Sequence, residues 1–413
     1  MTAREAVHQD IQRIDECRER LVDKVEDWSN LPLEPLVSVK TMTYNHEPYI
    51  QKAVDSILMQ EVDFPYEIVI GEDRSTDRTR EIVCNYQRRH PDRIRLRLAR
   101  ENLHSQGLRP GTGGSKACRG KYIAFLEGDD YWTDRHKLQK EVDWLEARSD
   151  ASLVHTAVSI LTDSTGQKDV GLARQRHLKN SACNENDCIA EILTNRRHVY
   201  TPTVVARASM VHDVLEKRTG LSPWPMGDTP LWLELAARGP LLYLPEDTAT
   251  YRVREGSASH PPTARQALVF RMGSNDMRRH YIRRFSLPAA DEVEFLSNTF
   301  GKTLAMARRA NAPEALRKMF DWYTQCQSKI PVAKKSEHLM VAANTAWSLR
   351  ERRVLQQASS QFLSLPPQYR PRRLRFYSIV SHNRLFWFVG RLLRLLEMAK
   401  TMSRLLVKHS VLS

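Results

Sequence analysis

Three carboxylates in four residues, Glu127, Asp129 and Asp130, follow directly on an apolar run from Tyr122 to Leu126 in the segment KYIAFLEGDDYW. Like charges packed this closely repel one another, and a bound cation is the simplest way to keep them together. Hard oxygen donors suit Mg²⁺ or Mn²⁺, which complete their shells with substrate phosphates. A solvated acidic turn is the competing reading. The run is short, continuous and bounded by Gly120 and Gly128, which predicts a strand buried on both faces. Carboxylates at the C-terminal end of such a strand stand in the crevice where open α/β sheets bind ligands.

Other elements bring polar groups to the same place. LVSVKTM (36–42) and YEIVIG (66–71) read as buried strands, ending in Thr43-Tyr44-Asn45-His46 and in Glu72-Asp73. Helical spacing covers 47–60, 78–89 and 134–147, with Ser75 or Thr76 placed to cap the second helix and Asp77 at its start. Ile94, Leu96 and Leu98 alternate with Arg95 and Arg97, which predicts a half-exposed edge strand. A loop with Gly107, Gly111, Gly113 and Gly114 leads to a short helix near 115–119, and 153–160 is a further strand. Strands alternating with helices predict a layered, mostly parallel α/β sheet. The strand ends at Thr43–Asn45, Glu72–Asp73 and Glu127–Asp130 then share one edge.

The blocks VSVKTMTYNHEPYIQKAVDSILMQ, EIVIGEDRSTDRTREIV and ACRGKYIAFLEGDDYWTDRHKLQKEVDWLE resemble family 2 glycosyltransferases, and WPMGDTPLWLELAARG does so more loosely. The resemblance covers residues 36–160 closely and about 200–260 loosely. It implies the GT-A fold, an α/β/α nucleotide-binding sheet, followed here by a mainly helical extension. It implies that Thr43, Tyr44, Asn45 and Glu47 belong to the nucleotide-sugar-binding set, with Thr43 and Tyr44 at the nucleobase, and that Asp73 accepts the base's imino N–H. Asp129 is the implied ligand of Mg²⁺ or Mn²⁺. Glu127, where Asp is commoner, lies near the ribose or the metal's shell, and Asp130 supports the loop. Asp228 is the implied general base, with a helix N-cap as the other reading. Trp224 and Trp232 flank it, as sugar platforms or as core. Arg252 and Arg254 are the implied diphosphate contacts.

The activity implied is inverting transfer of a sugar from a nucleotide-diphosphate sugar, a UDP-sugar first, to a hydroxyl of a glycan or lipid-linked glycan. Surface polysaccharide or glycolipid assembly is the setting. The alternative is a non-catalytic scaffold of the same fold that binds nucleotide sugars.

Composition bounds these readings. The 413 residues allow two or three domains. Six cysteines form no CxxC pair and no zinc spacing, which fits a reduced, cytosolic setting. The start lacks an apolar signal core, and no run of apolar residues is long enough to span a bilayer. The net charge is +14, and residues 371–413 hold nine Lys/Arg against Glu397 alone. So local a patch disfavours a nucleic-acid-binding surface. Within it, 383–408 places Leu385, Phe388, Leu392, Leu395, Leu396, Met402 and Leu406 opposite Arg391, Arg394, Lys400, Arg404 and Lys408. Such a helix suits either the anionic inner face of a membrane or a protein surface. The expected organisation is an amphipathic docking or homodimer-packing helix with linker over 1–35, the transferase domain over 36–262 divided near 160, a helical extension over 263–370, and the basic helix over 371–413.

Overall fold

The computed structural model describes residues 13–169, 185–217, 224–257 and 259–369. The chain divides into two compact units, Met1–His260 and Pro261–Ser413.

The first unit is organised on a ten-stranded sheet. In chain order its strands are β1 (Val22–Val25), β2 (Val37–Thr43), β3 (Tyr66–Glu72), β4 (Ile94–Ala99), β5 (Tyr122–Glu127), β6 (Tyr131–Trp132), β7 (Leu153–Thr162), β8 (Gln167–Asp169), β9 (Val204–Arg207) and β10 (Leu241–Val253). Their spatial order is β1-β4-β3-β2-β5-β9-β7-β10-β6, with β8 beside β7. The β4-β3-β2-β5 block is parallel. Beyond it the short β9 runs antiparallel between β5 and β7, so the sheet is mixed rather than mostly parallel.

Alternation along the strands feeds two layers. Val37, Val39, Ile68, Ile70, Tyr122, Ala124 and Leu126 pack with Ile50, Val54 and Ile57 of the helix Ile50–Leu58, with Val83 and Tyr86 of Thr79–Arg89, and with Leu138, Val142 and Leu145 of Lys137–Ala147. On the other face Phe125 meets Trp232 of the helix Asp228–Ala236 edge-on, with ring centroids 5.2 Å apart.

Three local expectations change. Residues 13–20 are helical, but Val22–Val25 is a strand, antiparallel to β4; residues 1–12 lie outside the described residues. Acids in and beside this strand explain the change. Glu26 pairs with Arg95 at 2.8 Å, Asp23 with Arg100 at 2.6 Å, and Glu19 with Arg97. In consequence β4 is not an edge strand, and Arg95 and Arg97 are buried. Gly111, Gly113 and Gly114 do not form a loop but a helix, Pro110–Lys116. It rests on β2 so closely that a Cβ at Gly114 would lie 3.4 Å from Met42 Sδ, and one at Gly111 3.5 Å from Lys40 Nζ.

The second unit contains five helices among the described residues: Ala264–Arg284, Ala289–Arg309, Pro313–Cys326, Val332–Leu349 and Arg352–Leu363. The expected basic helix over 371–413 lies outside the described residues. No helix of the described residues is long and apolar enough to cross a membrane.

Candidate active site

Parallel register sets Thr43 opposite Glu72 and Met42 opposite Glu127, so the three strand ends form one edge. The loops leaving them are tied together. Asn45, in the left-handed region at φ 53°, donates its N–H to Ser75 Oγ over 3.0 Å and accepts the Thr76 N–H at Oδ1 over 2.8 Å. Glu47 N–H donates to Asp77 Oδ2, and Glu47 Oε2 accepts the Arg78 N–H. These two side chains therefore bind loop to loop. Asp77 also accepts the Thr79 N–H over 3.0 Å, while Ser75 and Thr76 do not cap that helix. Tyr44 is exposed.

Asp73 is buried at the end of β3. Its Oδ1 accepts the Leu103 N–H over 2.8 Å and its Oδ2 the His104 N–H over 3.1 Å. Burial raises its proton affinity, and these two amides take back only part of the rise. Each oxygen retains a second lone pair, but the bonds present order the 102–104 loop.

Every carboxylate of the acidic loop has its own donor. Lys40, a charge inside the buried strand β2, lies 3.1 Å from Glu127 Oε1. Arg254 Nε donates to Asp129 Oδ2 over 2.8 Å, and Arg254 Nη2 approaches His46 Nε2 at 2.6 Å. Asp130 accepts the Arg252 N–H over 2.7 Å. The Arg252 guanidinium bonds to the Asp129 carbonyl and to Asp163 and lies over the Tyr49 ring, so it clamps the loop. Gly128 is required sterically: a Cβ there would sit 2.7 Å from Thr43 Oγ1 and 2.8 Å from His46 Nδ1. Both of those atoms are buried and lack a hydrogen-bond partner among the described residues.

Asp228 opens its helix, accepts the Thr229 N–H over 2.6 Å and lies 3.4 Å from Thr201 Oγ1. Burial raises Glu127's proton affinity, Lys40 opposes this, and the charges of Asp129 and then Asp228 add to the rise. Asp130 is raised well above the usual carboxylate range by burial and by Asp129. Trp232 is core. Trp224 is half-buried, and its carbonyl accepts from Arg109 over 2.8 Å.

Lys40, His46 and Arg109 enter this site without having been singled out from sequence. Lys40 carries a visible signal, a lone charge in a β-branched run. The other two carry none.

The donor set can be tested against a divalent cation. Among the described residues no three ligating side chains lie close enough to hold an ion by themselves. Glu127 and Asp129 nevertheless stand two residues apart at the end of β5, each held on one oxygen by a cation of the chain. That combination fits an Mg²⁺ or Mn²⁺ held by one or two carboxylates together with substrate oxygens, rather than in a protein cage.

The family model described as Glycosyl transferase family 2 matches residues 38–201. An uncharacterized protein of Mycobacterium tuberculosis is 30% identical over 217 residues, 52% of this chain and 58% of that one. The putative teichuronic acid biosynthesis glycosyltransferase TuaG of Bacillus subtilis is 36% identical over 116 residues, 28% of this chain and 44% of TuaG. A crystal structure of Staphylococcus aureus TarS aligns with 79% of this chain and 55% of its own, at 14% identity and a TM-score of 0.48. The chain thus spans little more than half the length of the mycobacterial relative. The profile match and the identity with TuaG thus place a domain of the family 2 glycosyltransferases over residues 38–201 of this chain.

Proposed function

We propose that the protein is an inverting glycosyltransferase that moves a sugar from a nucleotide-diphosphate sugar, a UDP-sugar first, to a hydroxyl of a glycan or lipid-linked glycan. One observation carries this reading: β2, β3 and β5 end in register at one edge, with Thr43 opposite Glu72 and Met42 opposite Glu127, and the helix opened by Asp228 packs Trp232 on Phe125 of β5. Residues 36–160 take the donor and 161–262 the acceptor. Asp228 removes the proton of the acceptor hydroxyl as that oxygen bonds to the anomeric carbon, and the bond from that carbon to the diphosphate breaks. The proton ends on the Asp228 carboxyl and the electron pair on the diphosphate. Asp129, with Glu127 beside it, is the residue to hold Mg²⁺ or Mn²⁺, which when bound neutralises charge on the diphosphate. Lys40 keeps Glu127 in place, and Arg254 is the chain's own cation at Asp129.

The name of TuaG supports a role in surface polysaccharide assembly. The charge pattern of 371–413 supports peripheral attachment to an anionic membrane on its cytoplasmic face.

A panel of UDP-, GDP- and dTDP-sugars with Mn²⁺ or Mg²⁺, scored by donor hydrolysis and thermal shift, tests the reading. Metal-dependent hydrolysis of one donor, lost in Asp129→Ala and Asp228→Asn, is expected. Binding of a donor without turnover, with acceptors supplied, is the result for a non-catalytic scaffold. Binding of no donor sinks the nucleotide-sugar assignment.

A further inference from the structure

The helix Ala264–Arg284 carries six arginines (265, 271, 278, 279, 283 and 284) against one acid, Asp276. Its periodicity brings Asp276, Arg279, His280, Arg283 and Arg284 onto one stripe. These five residues line a cavity of about 510 Å³.

The stripe is built rather than merely basic. Arg279 lies over the Trp322 ring at 5.1 Å, stands 3.4 Å from Glu292 and donates to Gln325. Arg284 lies 5.6 Å from the centroids of both Tyr281 and Phe285. Asp276 is engaged by Lys318, so it does not cancel the arginines. Arg283 is exposed and has no ion pair among the described residues. Crowding is felt within the stripe: burial first, and then the Arg283 charge, lowers the proton affinity of Arg279.

Guanidinium forks match phosphate oxygens in pairs. Here Arg279, which Glu292 and Gln325 hold in place, and Arg283 stand roughly one helical turn apart, about 5.4 Å, with Arg284 beside them, which suits repeated anions better than a single ion. We propose that this stripe is a binding site for a polyanionic chain bearing phosphate groups along its length. If the transferase reading above holds, that chain is the acceptor.

Two other polyanionic surfaces fit less well. Among the described residues of this unit, Val269 and Leu363 are the only large hydrophobic side chains that are exposed, too little to enter a bilayer. Of the rings beside the stripe, Tyr281 and Trp322 are buried and Phe285 is half-buried, too little for a row of stacked bases.

The test uses the full chain and a fluorescent inorganic polyphosphate, with binding followed by anisotropy over a range of salt. The doubly substituted Arg283→Ala/Arg284→Ala protein is expected to bind about tenfold or more weakly. Its plot of log affinity against log salt should be shallower by about two, one for each cation removed. Arg283→Lys/Arg284→Lys, which keeps the charge and loses the forks, should bind less tightly than the unaltered protein and more tightly than the alanine variant, and Asp276→Asn, which releases Lys318, should strengthen binding. Equal affinity in the alanine variant and the unaltered protein overturns the proposal, because the polymer is then held elsewhere, for instance by 371–413. So does a variant that loses binding to phosphatidylglycerol vesicles or to a single-stranded oligonucleotide but keeps polyphosphate. Donor hydrolysis by the unaltered protein without polymer reports on the transferase reading separately. Polyphosphate binding at the stripe in a protein that hydrolyses no donor would leave this site standing and remove only its role for an acceptor.

Discussion

Arg254 Nε donates to Asp129 Oδ2 over 2.8 Å while the same guanidinium reaches His46 Nε2 at 2.6 Å. The carboxylate proposed above to receive a divalent cation is thus already held by a cation of the chain. Any ion bound there competes with that guanidinium, whose charged hydrogen bond is worth about 1.5–3 kcal/mol. Arg254→Gln should therefore bind Mn²⁺ alone, measured by calorimetry, about tenfold more tightly than the unaltered protein, a gain of about 1.4 kcal/mol. Unchanged or weaker Mn²⁺ binding would show that Arg254 and the ion do not compete for Asp129.

The Lys40–Glu127 pair makes a second prediction. Lys40's side chain is 8% exposed and Glu127's is 34% exposed, with Nζ and Oε1 3.1 Å apart. Lys40→Met leaves Glu127 facing Asp129 and Asp228 without its counter-ion, and its proton affinity, already raised, rises further. Discounted for the exposure of Glu127, the loss of stability should be about 1–3 kcal/mol by urea denaturation. Adding Glu127→Gln should recover part of it. A double-mutant cycle with no coupling would mean that the pair contributes nothing.

The strand ends were legible because continuous apolar runs stopping at polar residues reflect local burial, and parallel register then does the rest. The opening segment was not. β1 is held by backbone pairing to β4 and by ion pairs such as Glu26–Arg95, which join residues 69 positions apart. Helical periodicity carries no trace of such contacts. Side-chain direction was equally hidden. Sequence position puts Asn45 and Glu47 in the right loop, but the structure turns both toward 75–78. Spacing could not decide whether Trp232 faces a ligand or Phe125. The glycines before Lys116 read as a loop because helix propensity penalises glycine. Here close packing on Lys40 and Met42 favours them.

Gly128 offers a steric prediction. Its missing side chain lets Thr43 and His46 close on the acidic loop, and a Cβ would meet Thr43 Oγ1, Thr43 Cβ and His46 Nδ1 at 2.7–2.9 Å. Gly128→Ala should lower stability by about 1–3 kcal/mol, the usual range for overpacking. It should also weaken nucleotide-sugar binding, since the loop carrying Glu127 and Asp129 must shift. Unaltered thermal stability and donor affinity would show that the loop accommodates the methyl group freely.

His155 on β7 predicts a pH dependence away from the candidate site. It is fully buried, its Nε2 lies 3.2 Å from Arg197 Nη1, and its Nδ1 has no hydrogen-bond partner among the described residues. Arginine can only donate, so Nε2 accepts and the ring is neutral. Burial first, and then the Arg197 charge, holds its pKa well below the ordinary 6.5. Above pH 6.5 neither the folded nor the unfolded chain protonates this ring, and its contribution to stability is complete. As the pH falls below that value the unfolded chain takes up a proton that the folded protein refuses. Stability is then lost, by up to about 1.4 kcal/mol per pH unit, until the folded pKa is crossed. His46 and His338 are depressed in the same direction, so unfolding free energies of the unaltered protein must be compared with those of His155→Gln, in which their effects cancel. Between pH 8 and pH 5 the unaltered protein should lose more stability than the variant. Parallel pH profiles would mean that His155 accepts a proton in the fold.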